Sequence, residues 1–194
     1  MKIAVYSGSF DPIHTGHAMI ANYLSQYCDL DRVWLMPSPL NPLKKDSTPA
    51  PDNKRLQMCQ IVARKCRNVE VSDFEFNLPK PSFTYRTLCV LRDAFPQHTF
   101  YLVIGSDNWL CFDKWRDYDK IIREFQILIY PRPGYEISGT LPAGVILLDN
   151  APQALISSTF IRNGIAEGKN MNFFIDPEVS DYIKINELYD RKCN

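Results

Sequence analysis

The sequence predicts an α/β protein with a doubly wound parallel sheet and helices on both faces. Two patterns predict it: short runs that are apolar at every position, and intervening segments whose apolar residues recur at helical spacing. A strand buried on both faces loses the apolar/polar alternation of a half-exposed one, so such runs belong to a sheet covered on each side. Composition agrees, since of 194 residues 45% are hydrophobic and 23% charged, the balance of a packed domain rather than a disordered or fibrous chain. A chain of this length buries roughly 70% of the surface it exposes when unfolded. No repeat or low-complexity linker divides it, so residues 1–194 are read as one domain, with the helices from about residue 157 packing on it.

The elements follow in order. Residues 2–6 are a strand running into Ser7 and Gly8, and Met19, Ile20, Tyr23, Leu24 and Tyr27 then space as a helix. Residues 33–36 are the second strand. After it comes PSPLNPLKKDSTPAP, residues 37–51, where the prolines remove backbone donors and discourage helix. A loop of that length is a place to look for function. Leu56, Cys59, Val62, Ala63 and Cys66 space as a helix, 69–71 as a strand, and 84–95 as a helix with Leu88 and Leu91 inward. Residues 100–104, 127–130 and 145–148 are further strands, the first two separated by a segment around 117–125. Helices are predicted over 157–167 and 177–189, the second with Asp176 as N-cap and Pro177 at its first position.

Charge narrows the partners. Lys plus Arg, 22, equals Asp plus Glu, 22, which leaves no net field to hold polymeric nucleic acid, so a small-molecule partner is expected. Six cysteines, at 28, 59, 66, 89, 111 and 193, form no C-x-x-C pair and read as reduced core residues. The apolar run at the N-terminus is too short for a secretory signal, and none approaches the ~18 residues of a membrane span, so the cytoplasm is the expected location.

In a doubly wound sheet ligands bind beyond the carboxyl ends of the strands, which directs attention to residues 7–17, 37–51, 105–118, 131–134 and 149–162. The first holds GSFDPIHTGH, Gly8 to His17, which is neither G-x-G-x-x-G nor a P-loop. Two of the chain's 3 histidines, His14 and His17, stand here three apart where a helix begins. Helix N-termini offer backbone N–H groups and a positive dipole end to anions, and imidazoles add directed donors, so a phosphate site is expected. Zinc is the weaker reading, because no Cys, Asp or third His beyond Asp11 lies at ligand spacing. The second segment is ISSTFIR, Ile156 to Arg162. Its Ser157, Ser158 and Thr159 can cap a helix or bind phosphate oxygens, and Arg162 stands about one turn further on.

Together, G-x-F-D-P-x-H-x-G-H and I-S-S-T-x-x-R at the two ends of a doubly wound pattern resemble the nucleotidyltransferase superfamily, whose fold is Rossmann-like. Between them PSFTYRTL (81–88), IGSDNWLCFDKW (104–115) and YPRPGY (130–135) resemble bacterial nicotinate-nucleotide adenylyltransferase, over essentially the whole chain. That resemblance implies transfer of the adenylyl group of ATP to nicotinate mononucleotide, with Mg²⁺ carried by the triphosphate rather than in a protein metal site. ATP would meet Gly8, Ser9, Phe10, His14, His17, Gly105, Asp107, Ser157, Ser158 and Arg162, of which His14, His17 and Arg162 are the implied catalytic groups. The mononucleotide would meet Trp115 along its pyridine ring, and Thr84 with the amides near Tyr85 and Arg116 at its carboxylate. Lys44 and Arg132 would balance phosphate charge. Gly105 would let the nucleotide approach the backbone, and Asp107 would accept from ribose hydroxyls. Arg55 reads as a charge on a helix surface.

The chain departs from the family pattern at Asn41-Pro42-Leu43-Lys44, which lacks a loop histidine, at Ser7 in place of a common glycine, and at Phe83 in place of tyrosine. The alternatives are an adenylyltransferase for nicotinamide mononucleotide or phosphopantetheine, and a nucleotide-binding regulator without turnover.

Overall fold

A computed structural model describes residues 1–39 and 49–190. Six strands form one sheet: β1 (Lys2–Gly8), β2 (Arg32–Pro37), β3 (Val69–Val71), β4 (Thr99–Gly105), β5 (Gln126–Tyr130) and β6 (Val145–Leu147). Their order is β3-β2-β1-β4-β5-β6 and every neighbouring pair is parallel. The chain winds outward in one direction from β1 and in the other from β4. The crevice between those strands is therefore the topological switch point where such sheets bind ligands.

Helices cover both faces, as expected. They are α1 (Thr15–Tyr27), α2 (Asp52–Ala63), α3 (Thr84–Ala94), the single turn α4 (Ser106–Trp109), α5 (Tyr118–Glu124), α6 (Ser158–Ala166) and α7 (Pro177–Ile185). Alternate residues of β1 feed the two cores, Ala4 and Tyr6 on one side, Ile3 and Val5 on the other. The first core takes Leu24 of α1, Met58 and Val62 of α2, Ile161 of α6, and Val179 and Ile183 of α7. The second takes Leu88 and Leu91 of α3 and Ile121 of α5. Helices α6 and α7 thus share the core of α1 and α2.

Three expectations are corrected. Helix α7 ends at Ile185 instead of running to Tyr189, because Glu187 (φ 50°) and Tyr189 (φ 70°) take the left-handed conformation and turn the chain back. Of the cysteines, Cys59 is fully buried, whereas Cys28, Cys66, Cys89 and Cys111 are half-buried free thiols, and Cys193 lies outside the described residues. Arg55 is not a surface charge: its side chain is entirely buried. Helical spacing placed it on α2, but the face it occupies points into the protein beneath the loop after β1.

Candidate active site

Beyond the ends of β1 and β4 opens a cavity of about 490 Å³, within the range of small-molecule sites. Its floor is the loop from Gly8 to His17. A side-chain carbon at Gly8 would come within 3.1 Å of the Phe10 ring, so the bare backbone there lets that ring fold under β1. Phe10, at φ 43°, is buried with its edge toward Tyr6 (5.5 Å) and His17 (5.0 Å), which fixes the wall against which the histidines stand.

His14 is the N-cap residue of α1, and its ring stacks on that of His17 with centroids 3.7 Å apart. Burial, with Arg132 nearby, lowers the His14 pKa from 6.5 to about 4, so this imidazole is neutral at pH 7. His17 Nδ1 accepts from the His14 backbone N–H at 3.3 Å, which in the neutral ring leaves the proton on Nε2. The free amides expected at this helix start are fewer than predicted. Thr15 N–H donates to Phe174 O and His17 N–H to His14 O, each at 2.9 Å, so the imidazoles hold more of the anion-binding capacity.

Opposite lies the start of α6. Ser157 Oγ accepts from Phe160 N–H at 3.1 Å, a side-chain cap that keeps the hydroxyl proton free to donate. Ser158 differs: its hydroxyl donates to Pro12 O at 2.9 Å. Arg162 donates through Nη1 to Asp11 O at 2.7 Å and through Nη2 to Thr159 Oγ1 at 3.2 Å, with its side chain 30% exposed on the cavity.

From β4, Gly105 leads into Ser106 and Asp107. Asp107 Oδ2 accepts from Arg132 Nη1 at 2.8 Å, and Ser106 Oγ accepts from Arg132 N–H at 2.8 Å. The space that a side chain at Gly105 would take is filled by Asp107 Oδ1 and by Arg132 Cδ. In this structure the glycine admits the protein's own ion pair, and a ligand at Asp107 has to share or displace Arg132.

The far end of the cavity is lined by Ser82, Phe83, Thr84, Lys114, Trp115 and Arg116. Helix α3 starts here with Phe83 at its N-cap and no side chain capping it. The Arg116 guanidinium lies 4.7 Å from the Phe83 ring centre, which sets a cation beside those open amides. Tyr85 turns its side chain away, its hydroxyl donating to Glu124 at 2.8 Å, so only its backbone can serve the cavity. Lys44 lies outside the described residues. Among the described residues three buried side-chain atoms have no hydrogen-bond partner, and two of them, His14 Nδ1 and Trp115 Nε1, belong to residues lining this cavity.

Comparison with known proteins places the whole chain in one family. A family model described as cytidylyltransferase-like matches residues 5–164. A Bacteroides thetaiotaomicron protein named "Probable nicotinate-nucleotide adenylyltransferase" is 44% identical over 95% of this chain and 91% of its own length. The Flavobacterium johnsoniae protein of the same name is 42% identical over 98% of this chain and 100% of its own. The chain belongs to the nicotinate-nucleotide adenylyltransferase family. The nicotinic acid mononucleotide adenylyltransferase of Plasmodium falciparum, in its structure complexed with NaAD, shares the fold with a TM-score of 0.83. The match covers 100% of this chain and 99% of that one, at 22% identity.

Four residues bear on the site of this family member through contacts that the sequence does not signal. Arg55 donates to Ser9 O (2.6 Å), Ala50 O (3.0 Å) and Pro39 O (3.2 Å), joining the loop after β1 to the loop after β2. Glu75, buried on the cavity wall, accepts from the hydroxyls of Ser82 (2.9 Å), Ser7 (3.4 Å) and Thr87 (3.4 Å), and burial raises its pKa. The serine at position 7 is thus a partner of Glu75. Asp11 and Tyr189 meet at 2.7 Å across 178 positions of sequence. Hydrophobic periodicity reports which face of an element is buried; it is silent on a polar contact between distant loops.

Among the described residues no cluster of three or more His, Cys, Asp or Glu could hold a metal ion, and no helix is long and apolar enough to cross a membrane.

Proposed function

We propose that this chain transfers the adenylyl group of ATP to nicotinate mononucleotide, releasing pyrophosphate and nicotinate adenine dinucleotide, as a cytoplasmic step of NAD synthesis. One observation carries the reading. The stacked His14 and His17, the α6 start with Arg162, and the uncapped α3 start with Trp115 and Arg116 share a single cavity at the switch point.

A phosphate monoester oxygen of the mononucleotide attacks the α-phosphorus of ATP, the bond to the bridging α–β oxygen breaks, and pyrophosphate carries the electrons away. That nucleophile is already ionised near neutral pH, so the reaction needs no general base; position and charge neutralisation supply the rate. The His17 Nε2–H donates toward the phosphates as negative charge grows on the bridging oxygen, with His14 behind it. Arg162, Ser157 and the α6 backbone hold the outer phosphates. Trp115 lies along the pyridine ring, and the amides at Thr84 and Tyr85, with Arg116, receive the carboxylate. Mg²⁺ would be carried by the triphosphate and would supply further charge neutralisation there. The carboxylates on the cavity are already engaged, Asp11 by Tyr189, Asp107 by Arg132 and Glu75 by three hydroxyls, which fits an ion borne mainly by the nucleotide.

The test is pyrophosphate release from ATP and Mg²⁺ with nicotinate mononucleotide, nicotinamide mononucleotide or phosphopantetheine as acceptor. Strong preference for the first supports the assignment. Preference for another keeps the chemistry and overturns the pocket, and release with none of them makes the chain a nucleotide-binding regulator.

A further inference from the structure

Residues 186–189, beyond the end of α7, do not trail into solvent. Asn186 donates from its amide to Tyr182 O at 2.8 Å, and the two left-handed residues Glu187 and Tyr189 bring the tail back over the loop after β1. There the Tyr189 hydroxyl donates to Asp11 Oδ1 at 2.7 Å, and the Ala50 N–H donates to the same oxygen at 3.1 Å. Asp11 is only 7% exposed. Its second oxygen lies 3.7 Å from Arg162 Nη1, the same nitrogen that donates to the Asp11 carbonyl at 2.7 Å.

We infer that the C-terminal tail is a working part of the transfer site, in which Tyr189 acts through Asp11 as a positioning residue for Arg162. With two donors on Oδ1, the carboxylate meets the guanidinium only at long range through Oδ2. Arg162 is held through Nη1 by the Asp11 carbonyl and through Nη2 by Thr159 Oγ1, with its side chain lining the cavity. Without the Tyr189 hydroxyl, Oδ1 is a buried anionic oxygen short of one donor. A guanidinium is the nearest group able to satisfy both oxygens at once, because its fork matches a carboxylate's. Closing that two-pronged pair draws Arg162 off the cavity and lowers its reach toward phosphate. The contact thus keeps a nearby anion from capturing the cation that the substrate needs. Neither segment alone suggests this role, since an aspartate beside a proline and a tyrosine near a chain end are each ordinary.

The inference rests on the reading of Arg162 as a phosphate-holding group, so the experiment carries its own control. Arg162→Ala, Tyr189→Phe, Asp11→Asn and the double variant of the last two are assayed for pyrophosphate release with both substrates varied, alongside thermal unfolding. Tyr189→Phe preserves the ring and its packing. It is expected to lower kcat about 10-fold, the size of one lost hydrogen bond to a charged group, with KM for the mononucleotide within about 2-fold. Because Tyr189 works through Asp11, the double variant should be no slower than Asp11→Asn alone. An unchanged kcat in Tyr189→Phe, a loss that adds to that of Asp11→Asn, or a fall in thermal stability at full kcat each overturns the coupling. If Arg162→Ala itself turns over normally, the underlying role of Arg162 is what fails.

Discussion

Helices α3 and α7 begin in opposite ways. The start of α7 is closed by its own chain: Asp176 accepts from Glu178 N–H at 2.9 Å, Pro177 has no N–H to satisfy, and Lys65 pairs with Asp176 at 2.6 Å. At α3 the N-cap is Phe83, no side chain caps the helix, and the neighbouring residues line the cavity. Helix α1 differs from both, with a histidine at its N-cap and the Thr15 and His17 amides already taken by the Phe174 and His14 carbonyls. Helix α6 stands between them, since Ser157 caps it yet keeps a proton for a ligand. The start of α7, away from the cavity, is thus sealed by Asp176, whereas the start of α3, at the cavity, carries no side-chain cap.

The contrast breaks most visibly at α1. Replacing His17 with Ala is expected to lower kcat by about 10²- to 10³-fold while KM for the mononucleotide moves little, the pattern of a donor used mainly in the transition state. Full turnover in that variant would remove His17 from the chemistry and make α1 an ordinary helix. Acid sharpens the same point. His14 is held neutral, its pKa down from 6.5 to about 4, so between those values the unfolded chain binds more protons than the folded one. Stability is therefore fully present above pH 6.5 and falls as the pH drops to about 4, by up to about 3 kcal/mol. His14→Asn should flatten that limb of a denaturation profile; an unaltered limb would assign it to other groups.

At α3, Trp115→Ala should raise KM for the mononucleotide about 10- to 100-fold with a smaller change in kcat, the effect of losing one aromatic stacking face. Equal losses in KM for ATP would place Trp115 in packing instead. The smallest effect belongs to α7. There Asp176→Ala should lower stability by about 1 kcal/mol in a denaturant titration and leave kcat and both KM values unchanged. A kinetic defect in it would mean that α7 is not separate from the site.

These differences also explain what the sequence could and could not tell. The strands from 2–6 to 145–148 and the helices at 84, 157 and 177 were legible because continuous apolar runs, 3.6-residue spacing and the caps at Asp176 and Ser157 are local signals. Family motifs marked His14, His17, Thr84, Trp115 and Arg162, all of which line the cavity. Arg55 reads as a surface charge because its helical context is that of a surface residue, whereas its partners Ser9, Pro39 and Ala50 come from two other loops. The Asp107–Arg132 ion pair was invisible for a similar reason. In sequence the two residues stand 25 positions apart with no shared motif, whereas strand pairing between β4 and β5 sets the loops after them side by side and directs the two charges at each other.

The burial of Arg55 reaches past the site itself. A guanidinium without contact with water, paired with Asp52 and fastened to carbonyls on either side of the Pro-rich loop and to the one at Ser9, cannot release those carbonyls without leaving buried donors unpaired. Docking of α2 and shaping of the loop after β1 are therefore one cooperative event. In amide hydrogen exchange the two should open together, at the free energy of the surrounding core rather than as a frayed edge, because one buried cation ties the loop after β1 to α2.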